Sequence, residues 1–320
     1  MSANSTFTEL VSTTFRKHRK EIKDNLSNRN ALLKYITKKG NVSSEDGGLS
    51  IATPLDYNAN GTYQRYSDWD TLNISQSDVI SAAEFQWRQI AINIVASGRE
   101  LRINSGDSRI ISLAKSRMKN AIRTFNNNFS NDLYSSGSLA NQINGLQALV
   151  ADANTTGTVG GIDASVWTFW QNKLFDLSVA GVALSSTTFE GSAMLPLWLQ
   201  LDRGPDDCPD LIVMDNVHYQ TFENSQLSLK RYATSDMVNA GFSTLKYKKA
   251  DVIYDGNSGI PSNHSYFLNT EYLKLVTHKD ADLTEVPEQR PVNQDGSVIP
   301  LLWMGNLTIA NRAQQGVIIA

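Results

Sequence analysis

Four histidines, His18, His218, His264 and His278, and one cysteine, Cys208, are the side chains best suited to proton transfer, nucleophilic attack or soft-metal binding. Their spacing argues against all three. No two histidines stand three or four residues apart, so no helix face offers an H-E-x-x-H zinc pair,. A thiol nucleophile needs a base beside it. The histidine nearest Cys208 in sequence is His218, and an α/β enzyme built on that pair is one reading for the structure to test. Gly157-Thr-Val-Gly-Gly161 is glycine-rich but lacks the Lys-Ser/Thr of a P-loop and follows no clear strand, so it reads as a surface loop,. Asp56-Tyr-Asn-Ala-Asn-Gly61 opens like an EF-hand calcium loop, yet its twelfth position is Ser67 where a bidentate Glu is needed,. A hairpin turn describes it better. Glu285, Glu288 and Asp295 sit among Pro287, Pro291 and Gly296, a polar loop rather than a carboxylate pair. The expectation is a chain with no catalytic residue, no metal and no cofactor.

Composition bounds the rest. The 320 residues are 41% hydrophobic and 19% charged, which suits a globular protein,. A lone cysteine excludes an intrachain disulfide framework and points to folding in a reducing compartment,. No run approaches the roughly 18 apolar residues of a membrane span, and Met1–Phe15 lacks the apolar core of a secretory signal,. A soluble protein made inside the cell is expected. Charge is unevenly spread. Residues 1–40 hold nine Lys/Arg against three acids, a charge of +6, which leaves −9 on the remainder for the total of −3. A basic arm on an acidic body suggests an interaction tail.

The elements that would carry these residues follow from periodicity. Residues 7–36 read as helix, broken near Ser27–Asn30, with an apolar stripe too thin to stand without a partner surface,. Gly40–Gly48 is a linker. Leu49, Ile51, Thr53, Leu55 and Tyr57 alternate as a strand, Asn58–Gly61 reads as the turn, and a return strand is expected from Tyr63 to about Asp78,. Residues 84–95 read as one strand whose apolar phase shifts between Trp87 and Ile90, the mark of a bulge,. Ile111, Ala114, Met118, Ile122, Phe125, Phe129 and Leu133 lie on one face of a long helix over about 105–136, backed by Arg109, Lys119 and Arg123,. Residues 191–203 read as a short helix despite Pro196. Asp210–Met214 reads as a buried strand with a helix after it at Val217–Leu227, and short strands follow near 249–254, 265–268, 272–276, 301–304 and 316–319.

This order of parts resembles the major capsid proteins of tailed bacteriophages, the Hong Kong 97-type fold, over nearly the whole chain. Ser81-Ala-Ala-Glu-Phe-Gln-Trp-Arg-Gln89, Ser105-Gly-Asp-Ser-Arg109, Gly157-Thr-Val-Gly-Gly-Ile-Asp163 and Tyr266-Phe-Leu-Asn-Thr-Glu-Tyr-Leu273 are the stretches most similar to such proteins. The resemblance implies an α+β fold with an N-terminal arm at 1–45 and an extended loop at 46–80. It places a peripheral domain at 81–150 and 276–320, with the spine helix, and an axial domain at 151–275. It implies hexamers and pentamers tiling an icosahedral shell around double-stranded DNA, formed in a bacterial cytoplasm. Portal, scaffolding and cement proteins would be the partners. Tyr57, Tyr63, Tyr66 and Trp69 would be intersubunit contacts. Arg16, Lys17, Arg19, Lys20, Arg109, Lys119 and Arg123 would face DNA; for the helix residues, salt bridges to neighbouring subunits are an equal alternative. Some such shells are cross-linked through an extended-loop lysine, but no lysine lies between Lys39 and Lys115, so that bond is not expected. The arm begins almost at once, which suggests a separate scaffolding protein or none. An encapsulin-like compartment shell is the second reading.

Overall fold

The computed structural model describes residues 30–103, 107–230, 245–255, 259–290 and 293–320. Most of the helix expected over 7–36 lies outside the described residues; its end is α1, Ala31–Lys39. Asn30 caps α1, its side-chain oxygen accepting from the Leu33 amide at 2.7 Å, and Gly40 closes it at φ 79°,. Leu32, Leu33 and Ile36 are buried against the same chain. Strand β1 (Val42–Glu45) follows, then β2 (Ile51–Asp56) and β3 (Ile80–Phe85), an antiparallel pair that runs Ile51↔Phe85 to Asp56↔Ile80.

That register corrects the expected hairpin. The return strand is Ile80–Phe85, not Tyr63–Asp78, and residues 57–79 form one long loop. Aromatic residues at 63–69 mimic a strand, but a strand half-buried in a sheet needs a surface to cover it, and Tyr63, Tyr66 and Trp69 have none among the described residues. The phase shift after Trp87 is also more than a bulge. Strand β3 ends at Phe85, and β4 (Arg88–Ser97) begins in another sheet.

Helix α2 spans Asp107–Asp132, 26 residues or about 39 Å. Met118, Phe125 and Phe129 are buried on the expected stripe. Phe129 stacks on Phe125 and meets Trp303 edge-on, with ring centroids 5.5 and 5.0 Å apart. Each such ring contributes about 1.5–3 kcal/mol through burial, and together they fix the helix to its sheet.

The chain then forms a two-stranded ribbon, β5 (Thr158–Val159) and β6 (Ile162–Asp163), whose turn is Gly160–Gly161 with φ 59° and 76°. Two consecutive positive-φ residues are what a tight hairpin turn of matching twist requires. The glycine run is thus structural. Strand β7 (Lys173–Asp176) follows, and a π-helical turn at Phe189–Met194 runs into the helical segment Leu195–Leu201. Pro196 stands in the first turn of that segment, directly after the π-helical turn. Strand β8 (Leu211–Met214) is buried throughout and leads into α3 (Asn216–Lys230). The remaining strands are β9 (Leu245–Tyr247), β10 (Ala250–Tyr254), β11 (His264–Leu268), β12 (Leu273–His278), β13 (Thr284–Glu285), β14 (Gly296–Ile309) and β15 (Gly316–Ile319).

Two sheets result. The first has the order β1-β12-β14-β13, with β4 paired to β14 over ten residues. The second has the order β7-β15-β11-β8-β10-β9. The second sheet is buried on both faces by strand alternation. Leu211, Val213, Tyr266, Leu268 and Val317 join a core shared with α2, the first sheet and the hairpin root. Ile212, Met214, Phe267 and Ile318 point the other way, onto Leu197, Trp198 and Phe222. The segment 276–320 is therefore divided, since β14 builds the first sheet and β15 lies inside the second.

Buried Arg312 stands where these parts meet. Its guanidinium donates to Leu149 O at 2.7 Å, Trp170 O at 3.1 Å and Asn172 Oδ1 at 3.0 Å. Burial without a carboxylate at ion-pair distance, among the described residues, lowers its pKa to about 10,. Three planar bonds let one side chain replace the backbone pairing these loops lack.

Candidate assembly surfaces

The loop at 57–79 is ordered by polar side chains rather than by a core. Asn60 Oδ1 accepts from the Thr62 amide and hydroxyl at 3.0 and 2.8 Å. The Gln64 amide spans Thr71 O and Asn73 N, both at 3.0 Å, and Asn73 Nδ2 donates to Gly61 O at 3.2 Å. The Ser67 amide donates to Asp70 Oδ2 at 2.8 Å. The Asp56–Gly61 run thus builds the loop's own turn, with Asn60 engaged by Thr62.

With its polar groups bonded to one another, the loop also presents apolar ones. Trp69 is 97% exposed, Tyr63 81% and Tyr66 69%. Ile74 is 92% exposed and Leu72 54%. The last two were missed in the sequence reading, although their spacing of two was the signal. Single exposed apolar residues are ordinary. Five within twelve positions of one projecting loop form the kind of patch that marks an interaction surface,.

Tyr57 belongs elsewhere. Its ring lies 5.8 Å from Trp167 and 5.7 Å from Phe169 in the same chain. The structure therefore separates the expected aromatic set into one packed residue at the root and three exposed ones beyond it.

The basic residues also divide. Arg16, Lys17, Arg19 and Lys20 lie outside the described residues, as does the Arg109 side chain, although Arg109 falls within α2. Lys119 and Arg123 are exposed on α2. Arg117, two residues before Lys119, is held by Glu100 at 2.7 Å.

The sequence reading also raised Cys208 and His218, which the fold keeps apart. They flank opposite ends of β8, whose four residues alone measure roughly 13 Å,. Burial raises the Cys208 thiol pKa, which Lys249 only partly opposes, so the reactive thiolate is disfavoured,. His218 is fully buried, its Nδ1 2.7 Å from Ser265 Oγ and its backbone amide donating to Asp215 Oδ1 at 2.9 Å. Burial lowers its pKa to about 4 despite the nearby Asp215 carboxylate. No helix of the described residues is long and apolar enough to cross a membrane.

Comparison with solved structures agrees with this architecture. The capsid asymmetric unit of cyanophage A-1(L) superposes with a TM-score of 0.64 at 17% identity, covering 88% of this chain and 90% of that one. The capsid of Myoviridae phage XM1 gives 0.55 at 10% identity, covering 89% and 91%. The SrpI encapsulin of Synechococcus elongatus gives 0.54 at 8% identity, covering 87% and 83%. No protein-family model and no curated relative matches in sequence. The fold is the α+β fold of shell-building subunits. Among these it is the Hong Kong 97 type, as the resemblance of the sequence implied.

Proposed function

We propose that this chain is the major capsid subunit of a tailed phage, a structural protein without catalysis. Copies assemble as hexamers and pentamers of an icosahedral shell around double-stranded DNA, within a bacterial cytoplasm. One observation carries this reading: a shell-type fold holds out an ordered loop whose aromatic residues no described residue of the same chain covers. Large aromatics supply much of the energy of protein interfaces, so Tyr63, Tyr66 and Trp69 are the contacts a second copy completes. The division into an arm at 1–45, an extended loop, a peripheral part around the first sheet and an axial part around the second belongs to the same proposal. Portal and scaffolding proteins, and possible cement proteins, are its expected partners.

Lys119 and Arg123, with Arg109 and the basic arm residues Arg16, Lys17, Arg19 and Lys20, offset phosphate charge without reading sequence. Reversing Arg109, Lys119 and Arg123 to Glu should spare empty shells and reduce stable DNA packaging. A defect before packaging would favour salt bridges between subunits instead.

Negative-stain microscopy of purified protein tests the main claim. Wild type should form closed shells, and Trp69→Ala should leave folded subunits that do not close. Normal shells from Trp69→Ala would falsify the assigned contact, and a wild-type protein that never exceeds small oligomers would remove the shell reading altogether. The likeness to an encapsulin favours a second reading, a compartment for protein cargo. Particle contents decide between them: nucleic acid in one case, a protein in the other.

A further inference from the structure

A cleft of about 440 Å³ opens at the hairpin root, between β3 and the β5–β6 ribbon. Its floor is aromatic. Tyr57, Trp167 and Phe169 lie with ring centroids 5.7–5.9 Å apart. Its rim carries the carboxylates of Asp78 and Glu84, both on exposed residues, and none of the described residues lining it is basic. Gly160 makes the cleft preformed. Its carbonyl accepts from the Glu84 amide at 2.9 Å, and a Cβ there would stand 2.9 Å from Ala83 Cβ. Burial raises the Tyr57 phenol pKa, and the neighbouring Asp78 carboxylate adds to this.

Aromatic faces backed by carboxylates favour a cationic side chain twice over, through the ring quadrupole and through direct charge attraction. Of the stretches outside the described residues, one is strongly basic. Arg16, Lys17, Arg19, Lys20 and Lys23 fall within eight residues, against Glu21 alone. Ten residues of chain reach up to roughly 35 Å back from Asn30. We propose that this basic segment, Arg16–Lys23, docks in the Tyr57–Trp167–Phe169 cleft and is held there by Asp78 and Glu84. The cleft is large enough for one or two cationic side chains, which leaves the others for phosphate. The arm is then a tether on the hairpin root, a role independent of DNA and of shell closure.

Zero-length carbodiimide cross-linking of the full-length protein, free of nucleic acid, tests this, because the reagent joins only ammonium and carboxylate groups already in contact. Mass spectrometry should find Lys17, Lys20 or Lys23 joined to Asp78 or Glu84. Trp167→Ala, which keeps both carboxylates, should lower that yield severalfold, and raising salt should lower it further. In an Asp78→Asn/Glu84→Gln variant the arm lysines should lose this reaction without passing it to one other dominant carboxylate. Arm lysines that are unreacted in wild type, or joined mainly to acids elsewhere, overturn the proposal. A yield unchanged in Trp167→Ala overturns the aromatic half of it. Shell formation is scored separately by microscopy, so failure of the tether is distinguishable from failure of the capsid reading.

Discussion

The root and the tip of one hairpin carry the same kinds of residue and meet opposite fates. At the root, Ile51, Leu55, Ala83 and Phe85 are buried and Tyr57 packs on Trp167 and Phe169. At the tip, Tyr63, Tyr66 and Trp69 are exposed on a loop whose shape is set by Asn60, Gln64 and Asp70. The root is organised by water exclusion and the tip by hydrogen bonds that tolerate water. The tip can therefore keep its shape with its apolar groups exposed, and a surface ordered in advance is one that costs less to bind.

The contrast can be broken most forcefully at the root. Phe85→Ala should cost about 3–5 kcal/mol of stability, read as a lowered denaturation midpoint in the unassembled subunit; a loss under about 1 kcal/mol would mean the root is no core. Acid should act on the packed body next. His218 has a folded pKa of about 4 against an ordinary 6.5, so its stabilisation is present above about pH 6.5 and lost as pH falls toward 4. That is about 2–3 kcal/mol between pH 7 and 4.5. The acid limb of a stability profile should be shallower in His218→Gln, while Trp69→Ala should follow wild type. Gly160→Ala should be milder, about 1–2 kcal/mol, from a Cβ at φ 59°,. Its midpoint should fall without a change in denaturant slope. The smallest effect on the subunit belongs to the tip: Trp69→Ala should shift its stability by no more than about 0.5 kcal/mol. A larger drop in the isolated subunit would show that the tip is part of the fold.

What could be read in advance follows the same division. Helix α2 was legible because one unbroken apolar stripe, from Ile111 to Leu133, has a single period,. β8 was legible because four consecutive residues are buried on both faces,, and β15 because it is a short apolar run at its expected place. The hairpin was found but mispaired. Its true return strand, Ile80-Ser-Ala-Ala-Glu-Phe85, has weak strand character, while the exposed aromatics at 63–69 have strong strand character,. Burial decides pairing, and burial is not local. For the same reason nothing in the sequence marked Arg312, whose three acceptors come from residues 149–172. The cleft at the root was equally hidden, since its acids and aromatics come from three separate stretches.

The placement of β15 has a consequence for timing. It lies between β7 and β11, with Lys173 paired to Gly316 and His264 to Ile319, so β7 and β15 are sheet neighbours that stand about 140 residues apart in the chain,. Closure of that loop must precede the reward for it. Because a ribosome makes β7 long before β15, a nascent chain cannot complete the sheet early. The aromatic tip, between β2 and β3, is also made well before β15. Synthesis thus makes the apolar tip before the strand that closes the second sheet, and crowded polysomes are where premature association should be sought.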